Sequence, residues 1–137
     1  MYRVVFDVNV LVSGLIVKGK PQELWLKAKA KEFTLIASHQ IVSEFVKVIC
    51  RKKFEKYVNE DDVRMFLEDL HQTAKFIRLR SKFKVVKEDP ADDTILRTAY
   101  DGKADYIISG DNHLLSMGEF RGTKIVKIDE MLNLLTH

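Results

Sequence analysis

Two stretches decide the fold: Tyr2-Arg3-Val4-Val5-Phe6-Asp7 near the start and Tyr106-Ile107-Ile108-Ser109-Gly110-Asp111 near the end. Each carries a short apolar run followed closely by an aspartate. Neither alternates polar with apolar residues, as a strand with one wet face would. Runs of this length read as strands buried on both faces, which is how the strands of a parallel sheet covered by helices read.

Working outward from these runs, helical patterns fill the spaces between strands. Asn9 is a candidate cap for a helix that turns Leu11, Leu15 and Ile16 inward, and Gly19-Lys20-Pro21 breaks it before a second helix over 22–32. Phe33 to Ala37 is the next strand. Ser38 reads as the N-cap of a helix to about Arg51, with an apolar stripe of Ile41, Val42, Phe45 and Ile49. Asn59 and the acids Glu60, Asp61 and Asp62 announce a helix over 60–75, because negative charge suits the positive end of the helix dipole. Phe76 to Leu79 is expected to be an edge strand, with Phe83 to Val86 as its extension. Asp89-Pro90 opens a helix to about Tyr100, and Gly102 is expected to stop it in the left-handed conformation. Leu114-Leu115 marks a short helix, Lys124 to Ile128 a last strand and 129–135 a closing helix. Strands alternating with helices predict an α/β domain with a parallel sheet covered on both faces.

A chain of 137 residues, 46% hydrophobic and 31% charged, is long enough for one core and too apolar for disorder, so residues 1–137 are expected to form a single domain. There is no internal repeat or interdomain linker. The lone Cys50 excludes an internal disulfide and a cysteine-based zinc cluster. No apolar run approaches membrane-spanning length, and an acid interrupts the first residues before a signal-peptide core, so the expected compartment is the cytoplasm.

The net charge of +3 is segregated. Lys75, Arg78, Arg80, Lys82, Lys84 and Lys87 lie in a stretch without acids, followed by Glu88-Asp89-Pro90-Ala91-Asp92-Asp93; a second basic cluster is Arg51, Lys52, Lys53 and Lys56. Basic surface around an acidic centre suits a polyanionic substrate. Lys52, Lys53, Arg78 and Arg80 are the expected substrate contacts.

In a parallel sheet with right-handed crossovers every strand delivers its carboxyl end to one edge, where ligands bind. Asp7 and Asp111 follow strands at that edge, and Asp92 lies in the first turn of the helix opened at Pro90. Glu44, two turns into the helix after the second strand, flanks the apolar stripe and joins them. Two carboxylates about 5 Å apart repel by about 3 kcal/mol at an effective dielectric of about 20, so converging acids must take up protons or bind a cation. All-oxygen donors favour Mg²⁺ or Mn²⁺ over zinc. Such ions activate water toward a phosphodiester, and no Ser or Cys stands beside a plausible base to act as a covalent nucleophile. Helix capping by Asp7, Asp111 and an Asp89/Asp92 box, and a Glu44–Lys47 surface pair, would explain each acid alone but not their convergence.

The residues Asp7-Val8-Asn9-Val10-Leu11-Val12-Ser13, Glu44, Asp89-Pro90-Ala91-Asp92-Asp93 and Ala104-Asp105-Tyr106-Ile107-Ile108-Ser109-Gly110-Asp111 with Leu114-Leu115 together resemble the PIN domain, over nearly the whole chain. The closest likeness is to PIN proteins of the VapC type, the toxins of toxin–antitoxin pairs. This resemblance implies a three-layer α/β/α sandwich with a five-stranded parallel sheet and Mg²⁺- or Mn²⁺-dependent endoribonuclease activity. It carries the catalytic metal site onto Asp7, Glu44, Asp92 and Asp111, with Asn9, Ser13 and Asp93 in support. It also implies RNA as substrate, a cognate antitoxin as partner, and a homodimer. His113 stands where similar members often have Asp.

Other acidic α/β domains fit less well. A receiver-like module needs a paired acid after the first strand, and a phosphatase of the haloacid dehalogenase type needs an acid where Asn9 stands. A PIN-like module without catalysis, binding RNA or serving as a scaffold, is the remaining alternative.

Overall fold

The computed structural model describes residues 1–86 and 89–136, so Lys87, Glu88 and His137 lie outside the described residues. The elements run β1 (Arg3–Phe6), α1 (Val8–Ile16), α2 (Lys20–Lys29), β2 (Thr34–Ala37), α3 (His39–Ile49), a 3₁₀ turn (Lys52–Phe54), α4 (Glu60–Thr73) and β3 (Lys75–Phe76). They continue with α5 (Pro90–Asp101), β4 (Tyr106–Ile108), α6 (Asn112–Met117), β5 (Glu119–Phe120), β6 (Thr123–Val126) and α7 (Ile128–Leu135). No helix among the described residues is long and apolar enough to cross a membrane.

The strands form one sheet in the order β3-β2-β1-β4-β6-β5. Five of them are parallel, as expected, and β1 and β4 sit at its centre. Val4, Val5, Ile107 and Ile108 are wholly buried, in keeping with their unbroken apolar runs. From β1 the chain crosses to β2 on one side, and later to β4 on the other. Right-handed crossovers in opposite directions place α1 and α2 on one face and α5 on the other, with a crevice between the carboxyl ends of β1 and β4.

The sixth strand corrects the expected count of five. β5 pairs antiparallel with β6 through Arg121 and Gly122, whose φ values of 48° and 90° are the two positive angles a tight hairpin turn requires. Two residues are too few to show any periodicity, so this strand left no mark in the sequence. The edge strand expected over 76–79 is also shorter: Ile77 still donates its N–H to the Ala37 carbonyl at 2.9 Å, but beyond it the chain leaves the sheet. Residues 83–86 form no strand because side chains of α5 take their backbone groups. Asp93 Oδ1 accepts the N–H groups of Val85 and Val86 at 2.8 and 2.9 Å, and Arg97 donates to the Phe83 carbonyl at 2.8 and 2.6 Å.

Gly102 closes α5, though not in the left-handed conformation expected of it. Its φ is −84°, and the residue with positive φ is its neighbour Lys103, at 53°. Gly102 is needed for space: a Cβ there would lie 2.6 Å from Ile36 Cγ2 in β2 and 2.8 Å from the Thr98 carbonyl. Arg3 further ties this corner down, donating Nε and Nη2 to the Gly102 carbonyl at 3.0 and 2.8 Å. Gly102→Ala is therefore expected to destabilise the fold by about 1–3 kcal/mol in urea unfolding. Gly110→Ala, where nothing lies within 4 Å of the new methyl group, is expected to stay within about 0.5 kcal/mol of wild type. Equal losses at the two glycines would refute the steric account.

Candidate metal centre

Register brings the first two groups together. Phe6 pairs with Ile108, so Asp7 and Ser109 emerge side by side at the carboxyl edge, and the Asp7 N–H donates to the Ile108 carbonyl at 3.0 Å. The buried Ser109 hydroxyl donates to Asp7 Oδ2 at 2.7 Å and accepts the Asp111 N–H at 3.0 Å. One serine thus orients one acid directly and fixes the backbone of another. The sequence reading missed Ser109; its signal was its position directly after the second buried run, matching Asp7 after the first.

Helix starts supply the rest. Asp7, Asp89 and Asp111 cap α1, α5 and α6, accepting the N–H groups of Asn9, Ala91 and His113 at 3.4, 3.0 and 3.3 Å. Ser38 caps α3, accepting the Ile41 N–H at 3.3 Å, and its hydroxyl meets Thr98 Oγ1 of α5 at 2.9 Å. That contact ties the helix of Glu44 to the helix of Asp92. Positive helix ends converging on this edge offset part of the negative charge gathered there.

Asp7, Glu44, Asp92 and Asp111, the four acids expected to meet, line one cavity of about 280 Å³ together with Asn9, Asp89 and Arg51. Asp89 was expected only as a cap, and Arg51 only as a member of a basic cluster. Ser13 and Asp93 do not line the cavity. Ser13 lies six residues beyond Asp7, about 9 Å along the α1 axis, and the Asp93 carboxylate is occupied by the backbone of Val85 and Val86. Lys52 and Lys53 are exposed on the 3₁₀ turn next to Arg51, Arg78 and Arg80 are exposed on the segment after β3, and His113 is exposed outside the cavity lining.

Capping accounts for Asp7, Asp89 and Asp111, but it leaves Asp92 unexplained. Asp92 is only 6% exposed, and its Oδ2 has no hydrogen-bond partner. A buried carboxylate in that state is costly unless it gains a proton or a cation. Burial, then the charges of Asp89 and Asp111, a hydrogen-bond contact with the Asp111 side chain and the charge of Asp7, push its pKa up to about 7. Burial also raises Asp7, against the hydrogen bonds from Ser109 and Asn9 and with help from the Asp111 charge. All the acidic donors are oxygens, as hard divalent cations require. Yet no group of three or more His, Cys, Asp or Glu among the described residues stands at metal-holding geometry. The donor set therefore fits a hard cation in kind, while its spacing among the described residues is not that of a closed metal site.

The model of the PIN domain matches residues 3–113, a span that includes Asp7, Glu44, Asp92 and Asp111. The chain belongs to the PIN-domain family. Solved structures share its fold at low identity. PAE2754 from Pyrobaculum aerophilum superposes with a TM-score of 0.68 at 13% identity, covering 98% of this chain and 90% of that one. VapBC2 from Rickettsia felis, solved bound to a DNA fragment from its promoter, gives a TM-score of 0.60 at 14% identity, covering 91% of this chain and 98% of that one. No curated protein sequence matches this PIN domain significantly.

The raised Asp92 has a measurable sign. Its proton is held more tightly in the folded PIN domain than in the unfolded chain, so the stability it brings is full below the ordinary value of 3.8 and is lost as pH rises through about 7. In chelator, Asp92→Asn is expected to melt close to wild type at low pH and about 3 °C or more above it by pH 8. A melting difference that does not grow with pH would refute the desolvated carboxyl.

Proposed function

We propose that this PIN domain is a metal-dependent endoribonuclease that hydrolyses RNA phosphodiester bonds with Mg²⁺ or Mn²⁺ held by Asp7, Glu44, Asp92 and Asp111, and that it acts as the toxin of a toxin–antitoxin pair. The observation that carries this reading is the partnerless, buried Asp92 oxygen beside a cavity shared with four further carboxylates, those of Asp7, Glu44, Asp89 and Asp111. A structural role explains helix caps, but it does not explain a desolvated acid aimed at other acids.

When bound, divalent ions supply an activated water and charge neutralisation at the phosphodiester. The chain's own residues prepare for this. Ser109 and the start of α1 hold the Asp7 carboxylate in one orientation. Asp92 would have to lose its proton to hold a cation, so cation affinity is expected to rise with pH through about 7. Arg51, on the cavity wall, offers a permanently charged donor to a phosphate oxygen. The Ser109 hydroxyl is buried and spent on Asp7, and Cys50 is not part of the cavity lining, which supports water rather than a side chain as nucleophile.

The toxin half of the proposal draws on the likeness to VapBC2, with a cognate antitoxin and a second copy of the chain as partners and the cytoplasm as the place of action. A defined RNA incubated with manganese is expected to be cut, and Asp7→Asn is expected to lower the rate by two or more orders of magnitude, about 3 kcal/mol. Manganese should raise the melting temperature of the wild type at pH 8 and should not raise that of the variant. Cleavage by Asp7→Asn at the wild-type rate under metal-controlled conditions would overturn the catalytic assignment. Expression is expected to arrest growth, with relief by the neighbouring antitoxin gene; harmless expression would remove the toxin role.

A further inference from the structure

The segment after β3 belongs to neither sheet nor helix, yet its exposure is regular. Arg78, Arg80, Lys82 and Lys84 are exposed, while Ile77, Leu79, Ser81 and Phe83 between them are partly buried. A period of two is that of an extended chain, so four cations stand on one side at intervals of about 6.6 Å.

This strap is fastened to α5 by Asp93, Arg97 and Asp101, spaced four residues apart and therefore on one helix face. Asp101 Oδ2 accepts the N–H groups of Arg80 and Ser81 at 2.8 and 3.0 Å and the Ser81 hydroxyl at 2.9 Å. Arg97 holds the Phe83 carbonyl, and Asp93 holds Val85 and Val86. An acid in the last turn of a helix is disfavoured by the dipole, and here the strap explains it. Burial raises the Asp101 carboxyl, but the strap's donors outweigh that and leave it below its usual range.

Every hydrogen bond from α5 to the strap goes to its backbone or to inward-facing Ser81, with the Arg80 charge adding a weaker attraction to Asp101. Ion pairs between described residues join Lys20 to Asp129, Lys27 to Glu32, Lys29 to Asp69 and Arg64 to Asp61, and none uses a strap cation. Beside the strap, the Arg121 guanidinium lies 4.4 Å from the Phe83 ring, 5.1 Å from Phe120 and 5.3 Å from Tyr100. Tyr100 is 47% exposed and leaves an aromatic surface open. The strap's last fastening, Asp93, is the chain neighbour of Asp92 in the carboxylate cavity.

A held row of like charges, repeating at nucleotide-like spacing beside an open aromatic ring, suits a polyanion with a regular charge repeat and bases to stack. We propose that residues 77–86 form a rail for the sugar–phosphate backbone of single-stranded RNA flanking the scissile bond, leading it to the carboxylate cavity. The identity of the ligand rests on the nuclease reading; the fastening of the rail does not.

The test is fluorescence anisotropy with a labelled, unstructured RNA of about 12 nucleotides in chelator. Arg80→Ala/Lys82→Ala is compared with Lys18→Ala/Lys124→Ala, which removes the same charge from other exposed positions. The rail pair is expected to bind about tenfold or more weakly at about 100 mM salt, with a salt slope shallower by about 1.4, two contacts at about 0.7 each. The control pair should stay within about twofold of wild type, and Arg80→Lys/Lys82→Arg should retain binding, which separates charge from misfolding. Equal weakening by rail and control pairs would overturn the rail. So would rail-dependent binding of a polyglutamate peptide with unchanged RNA affinity, which would mark an acidic protein as the occupant. Hydrolysis of bis(p-nitrophenyl) phosphate with manganese, a substrate too small to reach the rail, should be unchanged in the rail pair. If the wild type hydrolyses neither that substrate nor RNA, the nuclease reading fails while anisotropy still decides the rail.

Discussion

Like charges brought into a partly desolvated crevice repel, and most of what is distinctive in this PIN domain answers to that repulsion. The fold meets it at the sheet's carboxyl edge, where helix starts present their N–H groups and positive dipole ends. Asp7, Asp89 and Asp111 are stabilised by the helices they cap, and Ser109 donates a further hydrogen bond to Asp7. Asp92 receives no such compensation. Its raised pKa is the residual strain of the cluster, and it marks the place where a cation would contribute most.

The crevice owes its position to topology. Because β1 lies between β2 and β4, the crossovers leaving the sheet's centre diverge, and the residues after Phe6 and Ile108 face an opening rather than a covering helix. The link from Ser38 to Thr98 then ties α3 to α5, the helices that carry Glu44 and Asp92. Side chains from four separate parts of the chain are carried to one cavity by elements that are well buried, while no three of its acids stand at metal-holding spacing among the described residues.

One helix serves both the cavity and the surface beside it. Asp92 on α5 lines the cavity, while Asp93, Arg97 and Asp101 on the same helix fasten the basic strap. Adjacent aspartates therefore do unrelated work. Helical geometry separates neighbouring side chains by about 100° around the axis, so Asp92 and Asp93 necessarily face different surroundings.

The sequence by itself determined the parallel α/β architecture and four of the five acids that share the cavity, offering Asp89 only as a helix cap, because these depend on local features and on strand topology. Buried runs such as Val4-Val5-Phe6 announce strands, Ser38, Asn59 and Asp89 announce helix starts, and topology carries acids after strands to one edge. What only the tertiary structure decided depends on distant contacts. Gly102 is small because Ile36 passes over it, Asp93 turns to the strap rather than the cavity, and Ser109 bridges Asp7 and Asp111 through the β1–β4 register. The short β5 belongs with these, since a strand of two residues is specified by its partner and its turn rather than by its own pattern. Periodicity and caps act within one element, whereas steric fit, hydrogen-bond choice and desolvation are set by residues far apart in the chain.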